Sequence, residues 1–214
     1  MGSAHSDEQG AGQAAAGDQV LTAHKILVAG GFGAGKTTLV GAISEVRPLL
    51  TEETLSAASV GRDDLAGLAD KKTTTVALDF GRITFGGHLV LYLFGVPGQE
   101  RFWFMWDELA FGALGAVVLA DVRRLGDCFP SVNYFERLKL PFIVAVNCFD
   151  DAPSYDAEEI RQAIDLDENV PLVLCDARDL ASVKNVLIAL VESIAAGLPG
   201  TGQVPGRPVA ALGR

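Results

Sequence analysis

Gly30-Gly31-Phe32-Gly33-Ala34-Gly35-Lys36-Thr37, continued by Thr38, fits the pattern G-x-x-x-x-G-K-[ST]. It follows the apolar run Ile26-Leu27-Val28-Ala29 and precedes Leu39-Val40-Gly41-Ala42-Ile43, which reads as the opening of a helix. Strand, glycine loop and helix form the setting in which this motif cradles phosphate. Glycines allow successive backbone N–H groups to turn inward around an anion, and the helix N-terminus adds partial positive charge. Lys36 can bridge the outer phosphates, and the Thr37 hydroxyl can ligate Mg²⁺. A glycine-rich turn that merely happens to precede a lysine would leave both flanking elements unexplained. The stretch therefore implies a nucleoside triphosphate site.

The rest of the composition narrows the setting. The chain has 214 residues, enough for one domain with a proper core. Apolar residues are 49% of it, which fits a globular protein. Its 17 Lys and Arg against 27 Asp and Glu give a net charge of −10. That balance excludes a basic nucleic-acid footprint and a polybasic membrane-binding run. Cys128, Cys148 and Cys175 lie in or beside apolar stretches without metal-like spacing, as expected of reduced thiols in the cytoplasm. The longest apolar stretch, residues 109–120, is too short and glycine-broken to span a bilayer, so no integral membrane segment is expected. Residues 1–20 lack the apolar centre of a secretory signal. Met1-Gly2-Ser3-Ala4-His5-Ser6 matches the N-myristoylation pattern but has no second membrane signal, and we read it as coincidence.

Residues 1–22 and 197–214 are rich in small and polar residues and are expected to be disordered tails around a domain at 23–196. Within that domain, apolar runs at 26–29, 76–78, 89–94, 116–120, 142–146 and 172–174 predict six strands. Helical patterns at 37–45, 104–111, 131–137, 156–164 and 180–196 follow most of them. The alternation predicts an α/β fold, a mostly parallel six-stranded sheet with helices on both faces. Residues 76–85 and 88–94, separated by Gly86-Gly87, predict one antiparallel hairpin. Residues 46–74, interrupted by Pro48, Gly61 and paired acidic residues, read as a long irregular and functional loop.

Three further motifs stand at predicted strand ends, where an open α/β sheet places its ligand. They are Phe94-Gly95-Val96-Pro97-Gly98-Gln99-Glu100-Arg101-Phe102, Asn147-Cys148-Phe149-Asp150 and Cys175-Asp176-Ala177-Arg178. With the phosphate loop, over residues 24–196, they resemble the Ras-like small GTPases, specifically the bacterial MglA-like branch and, within it, the nucleotide-binding proteins of actinomycete conservon clusters. The resemblance implies a P-loop NTPase of the Ras-like G-domain type that binds GTP or GDP with Mg²⁺. It implies that Gly33, Ala34, Gly35, Lys36, Thr37 and Thr38 wrap the phosphates. Thr75 would be the switch I threonine that senses the γ-phosphate through Mg²⁺, although the run Thr73-Thr74-Thr75 also suits the start of a strand. Gly98 would donate its N–H to the γ-phosphate and Gln99 would orient the attacking water, with Lys36 and Thr75 completing the catalytic set. Asp150 would accept from guanine N1 and N2, Asn147 would tie the base loop to the phosphate loop, and the Ala177 N–H would point at guanine O6. A bland reading makes Gln99 a surface residue and Asn147 and Asp150 turn or capping residues.

Four departures from the Ras pattern bear on function. The usual Asp-x-x-Gly of switch II is Gly95-Val96-Pro97-Gly98, so its carboxylate is missing. Asp79 lies four residues after Thr75 on the same strand face, and the MglA-like branch has a similar arrangement; Asp79 is the expected substitute near Mg²⁺. Phe32 replaces a glycine beside the γ-phosphate, which crowds an arginine delivered in trans and predicts slow intrinsic turnover. Cys148 replaces the base-stacking lysine. No cysteine stands in Ala211-Leu212-Gly213-Arg214, so no prenyl anchor is expected. The aromatic run Phe102-Trp103-Phe104-Met105-Trp106 cannot be buried whole on one helix face, and at least one of its large side chains is expected at the surface as part of a partner site. Arg101 is a weak candidate for an intrinsic arginine finger, with a surface ion pair as the plainer reading.

These observations predict a cytoplasmic GTP-binding switch with slow hydrolysis. The resemblance adds a roadblock-type protein and a sensor-kinase-like protein as partners, with recruitment to the membrane through them. The competing readings are a nucleotide-holding scaffold without turnover and, less favoured because Asp150 opposes it, an ATP-using P-loop enzyme.

Overall fold

The computed structural model describes residues 21–47, 49–55, 74–98 and 100–197. Among the described residues, seven strands form one sheet: β1 (Thr22–Gly30), β2 (Leu49–Leu55), β3 (Thr74–Phe85), β4 (Leu89–Gly95), β5 (Ala113–Ala120), β6 (Phe142–Asn147) and β7 (Leu172–Cys175). Their spatial order is β2-β3-β4-β1-β5-β6-β7. β1 pairs in parallel with β4 and β5, and β5–β6 and β6–β7 are parallel as well. The five helices are α1 (Lys36–Ile43), α2 (Trp106–Ala110), α3 (Phe129–Leu138), α4 (Ala157–Ala163) and α5 (Leu180–Gly197), and two 3-10 helices cover Glu100–Met105 and Val122–Cys128.

The alternation along β1 shows why two helical layers form. Ile26 and Val28 face one side, and Leu27 and Ala29 the other, as the two-residue strand period requires. The first face packs on Leu39 and Val40 of α1 and on Val183, Leu187 and Leu190 of α5. The second packs on Trp106, Phe135 and Ile160 of α2, α3 and α4. The central strands β1, β5 and β6 are buried on both faces over most of their length, hence their continuous apolar runs.

All six expected strands and five expected helices are present, and the fold is the expected α/β one. Gly86 and Gly87, with φ of 57° and 77°, turn the β3–β4 hairpin in the left-handed region glycine allows. Two boundaries move: Thr22 already belongs to β1 and Gly197 still belongs to α5. The rest of both expected tails lies outside the described residues.

The seventh strand is a correction. Residues 46–74 were expected to be irregular, yet β2 adds to the sheet edge, running from Leu49 opposite Phe80 to Leu55 opposite Thr74. Paired acidic residues hide it from a periodicity search, because an edge strand draws its order from a neighbour's backbone rather than from burial of alternate side chains. Residues 56–73 lie outside the described set.

Helix α5 is long and apolar enough to cross a membrane by length and composition. Here its apolar stripe is used on the sheet, where Val183, Leu187 and Leu190 are at most 1% exposed.

Candidate nucleotide site

The C-terminal ends of β1, β4, β6 and β7 meet along one edge of the sheet, and the four motifs stand there together. At its centre the phosphate loop leaves β1 with Gly30 at φ 132°, Gly33 at 76° and Gly35 at 108°. Gly35 cannot be replaced without strain, since a Cβ on it would lie 2.5 Å from Asn147 Nδ2. Leu39 N closes the first turn of α1 onto Gly35 O at 2.8 Å. Lys36 Nζ donates to Gly30 O at 2.9 Å and Gly31 O at 2.7 Å, so the ammonium is held by its own loop. Burial pushes its pKa down, and the negative charge of Asp79 opposes that shift.

Gly95 and Asp79 are directly paired on β4 and β3. A Cβ on Gly95 would stand 2.7 Å from Asp79 Oδ2, so the glycine clears the space that the Asp79 carboxylate fills. Thr37 Oγ1 donates to that same Oδ2 at 2.8 Å. A hydroxyl and a carboxylate in contact beside a phosphate loop form the hard oxygen set that Mg²⁺ takes together with phosphate and water. No cluster of three or more His, Cys, Asp or Glu side chains with metal-binding geometry occurs among the described residues.

The loop after β4 closes over the lysine. Val96 N bonds Val28 O at 2.8 Å, and Trp106 Nε1 bonds Pro97 O at 3.1 Å. Gly98 sits so near the phosphate loop that a Cβ on it would be 2.5 Å from Gly30 O and 3.1 Å from Lys36 Nζ. Gln99 lies outside the described residues, and Arg101 falls in the 3-10 helix Glu100–Met105. Of the aromatic run that follows, Phe102 and Trp106 are buried, whereas Trp103 is 39% and Phe104 60% exposed.

Thr75 belongs to β3, where it pairs with Thr54 and stands four residues before Asp79 on the strand.

At the other end of the edge, Asn147 is 4% exposed and joins two loops. Its Nδ2 donates to Ala34 O at 3.0 Å, and its Oδ1 accepts from Ala177 N at 3.0 Å. The Ala177 N–H is thus turned toward Asn147, and a guanine O6 would have to share that donor. Asp150 is fully at the surface and bound by Arg178, whose Nη1 and Nη2 donate to its two oxygens at 2.8 and 2.9 Å. Arg178 also donates from Nε and Nη2 to Asp176 at 2.9 and 2.8 Å. The arginine holds Asp150 below the usual carboxylate range and lowers Asp176 to about 2. Cys148 is exposed, whereas burial raises Cys128 to about 11 and Cys175 to about 12, leaving both as inert thiols.

Sequence reasoning missed one neighbour of the phosphate loop. Arg124, in the 3-10 helix Val122–Cys128, donates from Nη2 to Phe32 O at 2.6 Å and lies beside Gly33. Its backbone (φ −147°, ψ 54°) breaks the helix at that point. Asp121-Val122-Arg123-Arg124 at the end of a buried strand was the available signal, but two adjacent arginines look alike until the structure separates them. Arg123 is bound to Asp121 and Asp151, and Arg124 leans on the loop.

Residues 28–197 match the family described as conserved hypothetical ATP binding proteins. Over 128 residues the chain is 28% identical to the uncharacterized protein MJ1339 of Methanocaldococcus jannaschii, covering 59% of this chain and 70% of that protein. Among solved structures it resembles the G domain of the T. maritima FeoB iron transporter, with a TM-score of 0.55 at 20% identity over 81% of this chain and 98% of that one. The G domain of FeoB from Methanococcus jannaschii matches with a TM-score of 0.55 at 12% identity over 82% and 99%. The cytosolic domain of the T. maritima protein in a GDP form gives 0.59 at 18%, covering 81% of this chain and 64% of that domain. At these identities the likeness is one of fold. The fold is that of a P-loop nucleotide-binding G domain, and the chain belongs to the family of conserved hypothetical ATP binding proteins.

Proposed function

We propose that this chain is a guanine-nucleotide switch that binds GTP and GDP and hydrolyses GTP slowly. The observation that carries the reading is the Asn147 bridge. It locks the loop bearing Asp150 to Ala34 of the phosphate loop, so base reading and phosphate binding belong to one rigid frame. A carboxylate at Asp150 accepts from guanine N1–H and N2–H, a donor pair that adenine does not offer. The family's description names ATP, which makes the base the first thing to test. Affinities for GTP and ATP with Mg²⁺ present decide it: GTP is expected to bind more tightly, and Asp150→Asn to shift preference from guanine toward xanthine. Equal affinities, or tighter ATP, would reject the reading.

Phosphates would lie on the N–H groups from Gly33 to Thr38, with Lys36 released from Gly30 O and Gly31 O to meet them and Gly98 N–H directed at the γ-phosphate. Thr37 and Asp79 would hold Mg²⁺, Thr37 as ligand and Asp79 through water, and the ion would supply charge neutralisation at the β- and γ-oxygens. Thr75 is assigned the switch I role at the ion by resemblance. Water would attack the γ-phosphorus in line, the bond to the β–γ bridging oxygen would break, and Lys36 would stabilise the charge left on GDP. Gln99 is assigned the positioning of that water by resemblance. Output would come from rearrangement of residues 46–75 and 95–106, read by roadblock-type and sensor-kinase-like partners in the cytoplasm or at a membrane to which they recruit it.

A scaffold without turnover is the second reading. Gly95 in place of the switch II carboxylate favours it, as does Phe32, which is 68% exposed at the mouth of the phosphate loop. Single-turnover phosphate release separates the two, and a faster rate in Phe32→Gly would show that the side chain restrains a working site.

A further inference from the structure

Arg178 follows Ala177 in the loop between β7 and α5, and its guanidinium lies across two carboxylates. Two parallel N–H bonds meet the two oxygens of Asp150 at 2.8 and 2.9 Å, while Nε and Nη2 hold Asp176. A planar fork on a carboxylate is the geometry in which arginine is most specific. Guanine contains the same chemical unit. Its N1–H and exocyclic N2–H hang from one carbon and point the same way, so the edge that Asp150 would read is itself a guanidine. We propose that Arg178 is an internal stand-in for guanine, holding the base-reading carboxylate and yielding it when a guanine nucleotide binds. This rests on the guanine reading above.

The exchange is physically accessible. Asp150 and Arg178 side chains are 82% and 55% exposed, so water can take up each group as it is released. Arg178 retains Asp176 as an anchor after leaving Asp150. An exposed pair is weak enough to be displaced. The displacement cost falls only on a ligand that takes Asp150. A nucleotide whose base lacks the donor pair can bind through its phosphates and leave the fork in place. Arg178 therefore lowers affinity for guanine nucleotides selectively and keeps the carboxylate oriented until it is displaced.

Equilibrium binding of GDP and ADP to the full chain tests this in wild type, Arg178→Ala, Arg178→Lys, Asp150→Ala and the Arg178→Ala/Asp150→Ala double variant. Removing the fork is expected to tighten GDP by about twofold to fivefold, the upper part of the range for an exposed ion pair, with ADP unchanged. Arg178→Lys, which keeps the charge but not the planar fork, is expected to fall between. In the Asp150→Ala background the gain disappears. GDP affinity unchanged or weakened by Arg178→Ala, or a gain that persists without Asp150, overturns the stand-in role. The guanine reading fails separately, and the stand-in with it, if wild type binds ADP as tightly as GDP and Asp150→Ala leaves GDP affinity unchanged. Both substituted side chains are exposed, and circular dichroism melts confirm that each variant is folded.

Discussion

At the phosphate end of the cleft the working groups are backbone atoms and one lysine held by buried neighbours, whereas at the base end they are exposed side chains held by one another. Gly30 and Gly31 are buried and grip Lys36 through their carbonyls. Asp150 and Arg178 are exposed and Asp176 half-buried, and ion pairs join the three, with the Arg178 N–H also donating to Asp176. The difference is one of stiffness. Backbone donors set by glycine torsions cannot adapt to a new ligand, while an exposed ionic cluster can trade partners at little cost. Asn147 is the rigid joint between the two, buried together with Ala34 and Ala177, the residues it bridges.

If that contrast is right, substitutions at the phosphate end and the joint have large effects and those at the base end small ones. Lys36→Ala is expected to have the largest, a loss of about 100-fold in nucleotide affinity by titration calorimetry, from removing a charge-assisted donor to phosphate. A loss under tenfold would show that the backbone cradle suffices alone. Asn147→Ala strands a buried carbonyl and a buried N–H, at a cost of about 3 kcal/mol and a melting point lowered by about 6–12 °C. Calorimetric melting without such a drop would place the rigid joint elsewhere. Asp79→Ala is expected to weaken Mg²⁺-dependent nucleotide affinity about tenfold, as removal of an outer-shell carboxylate does at other metal sites. Unchanged Mg²⁺ dependence would exclude Asp79 as the replacement for the absent switch II carboxylate.

The smallest expected effect is on acid stability. Arg178 depresses the folded-state pKa of Asp176 to about 2. A depressed carboxylate contributes stability that is present above its unfolded value of about 3.9 and is lost as pH falls through its folded value. The window therefore runs from about pH 4 down to about pH 2, and because the pair is exposed the change is slight. Carboxyl NMR titration is expected to place Asp176 near 2 in wild type and to raise it toward the ordinary value in Arg178→Ala, where the backbone N–H of residue 178 still donates to it. A titration that does not move would mean that the ion pair is not formed in solution.

Much of this was legible in the residues. The continuous runs of β1, β5 and β6 announce strands buried on both faces, and the glycines and lysine at 30–36 announce the anion site, because both signals are local. The β2 strand was illegible, since Leu49–Leu55 takes its order from pairing with β3 rather than from its own pattern. Asp79 was found as a candidate because Gly95 stood where a carboxylate was missing. That the two are register partners, one making room for the other, follows from the hairpin alignment. Arg124 went unseen because a break in a 3-10 helix, not a motif, turns it toward Phe32.

By itself, the sequence determined the α/β class, the phosphate loop and the strand ends at which ligand-binding residues gather. Torsional preference, apolar periodicity and glycine content act over a few residues and can be read there. Only the tertiary structure decided that Asn147 joins two loops, that Thr37 meets Asp79, and that Arg178 rather than solvent holds Asp150. Those contacts join residues between 28 and 113 positions apart. Their existence depends on how strands are ordered and registered in the sheet, and no local preference encodes that.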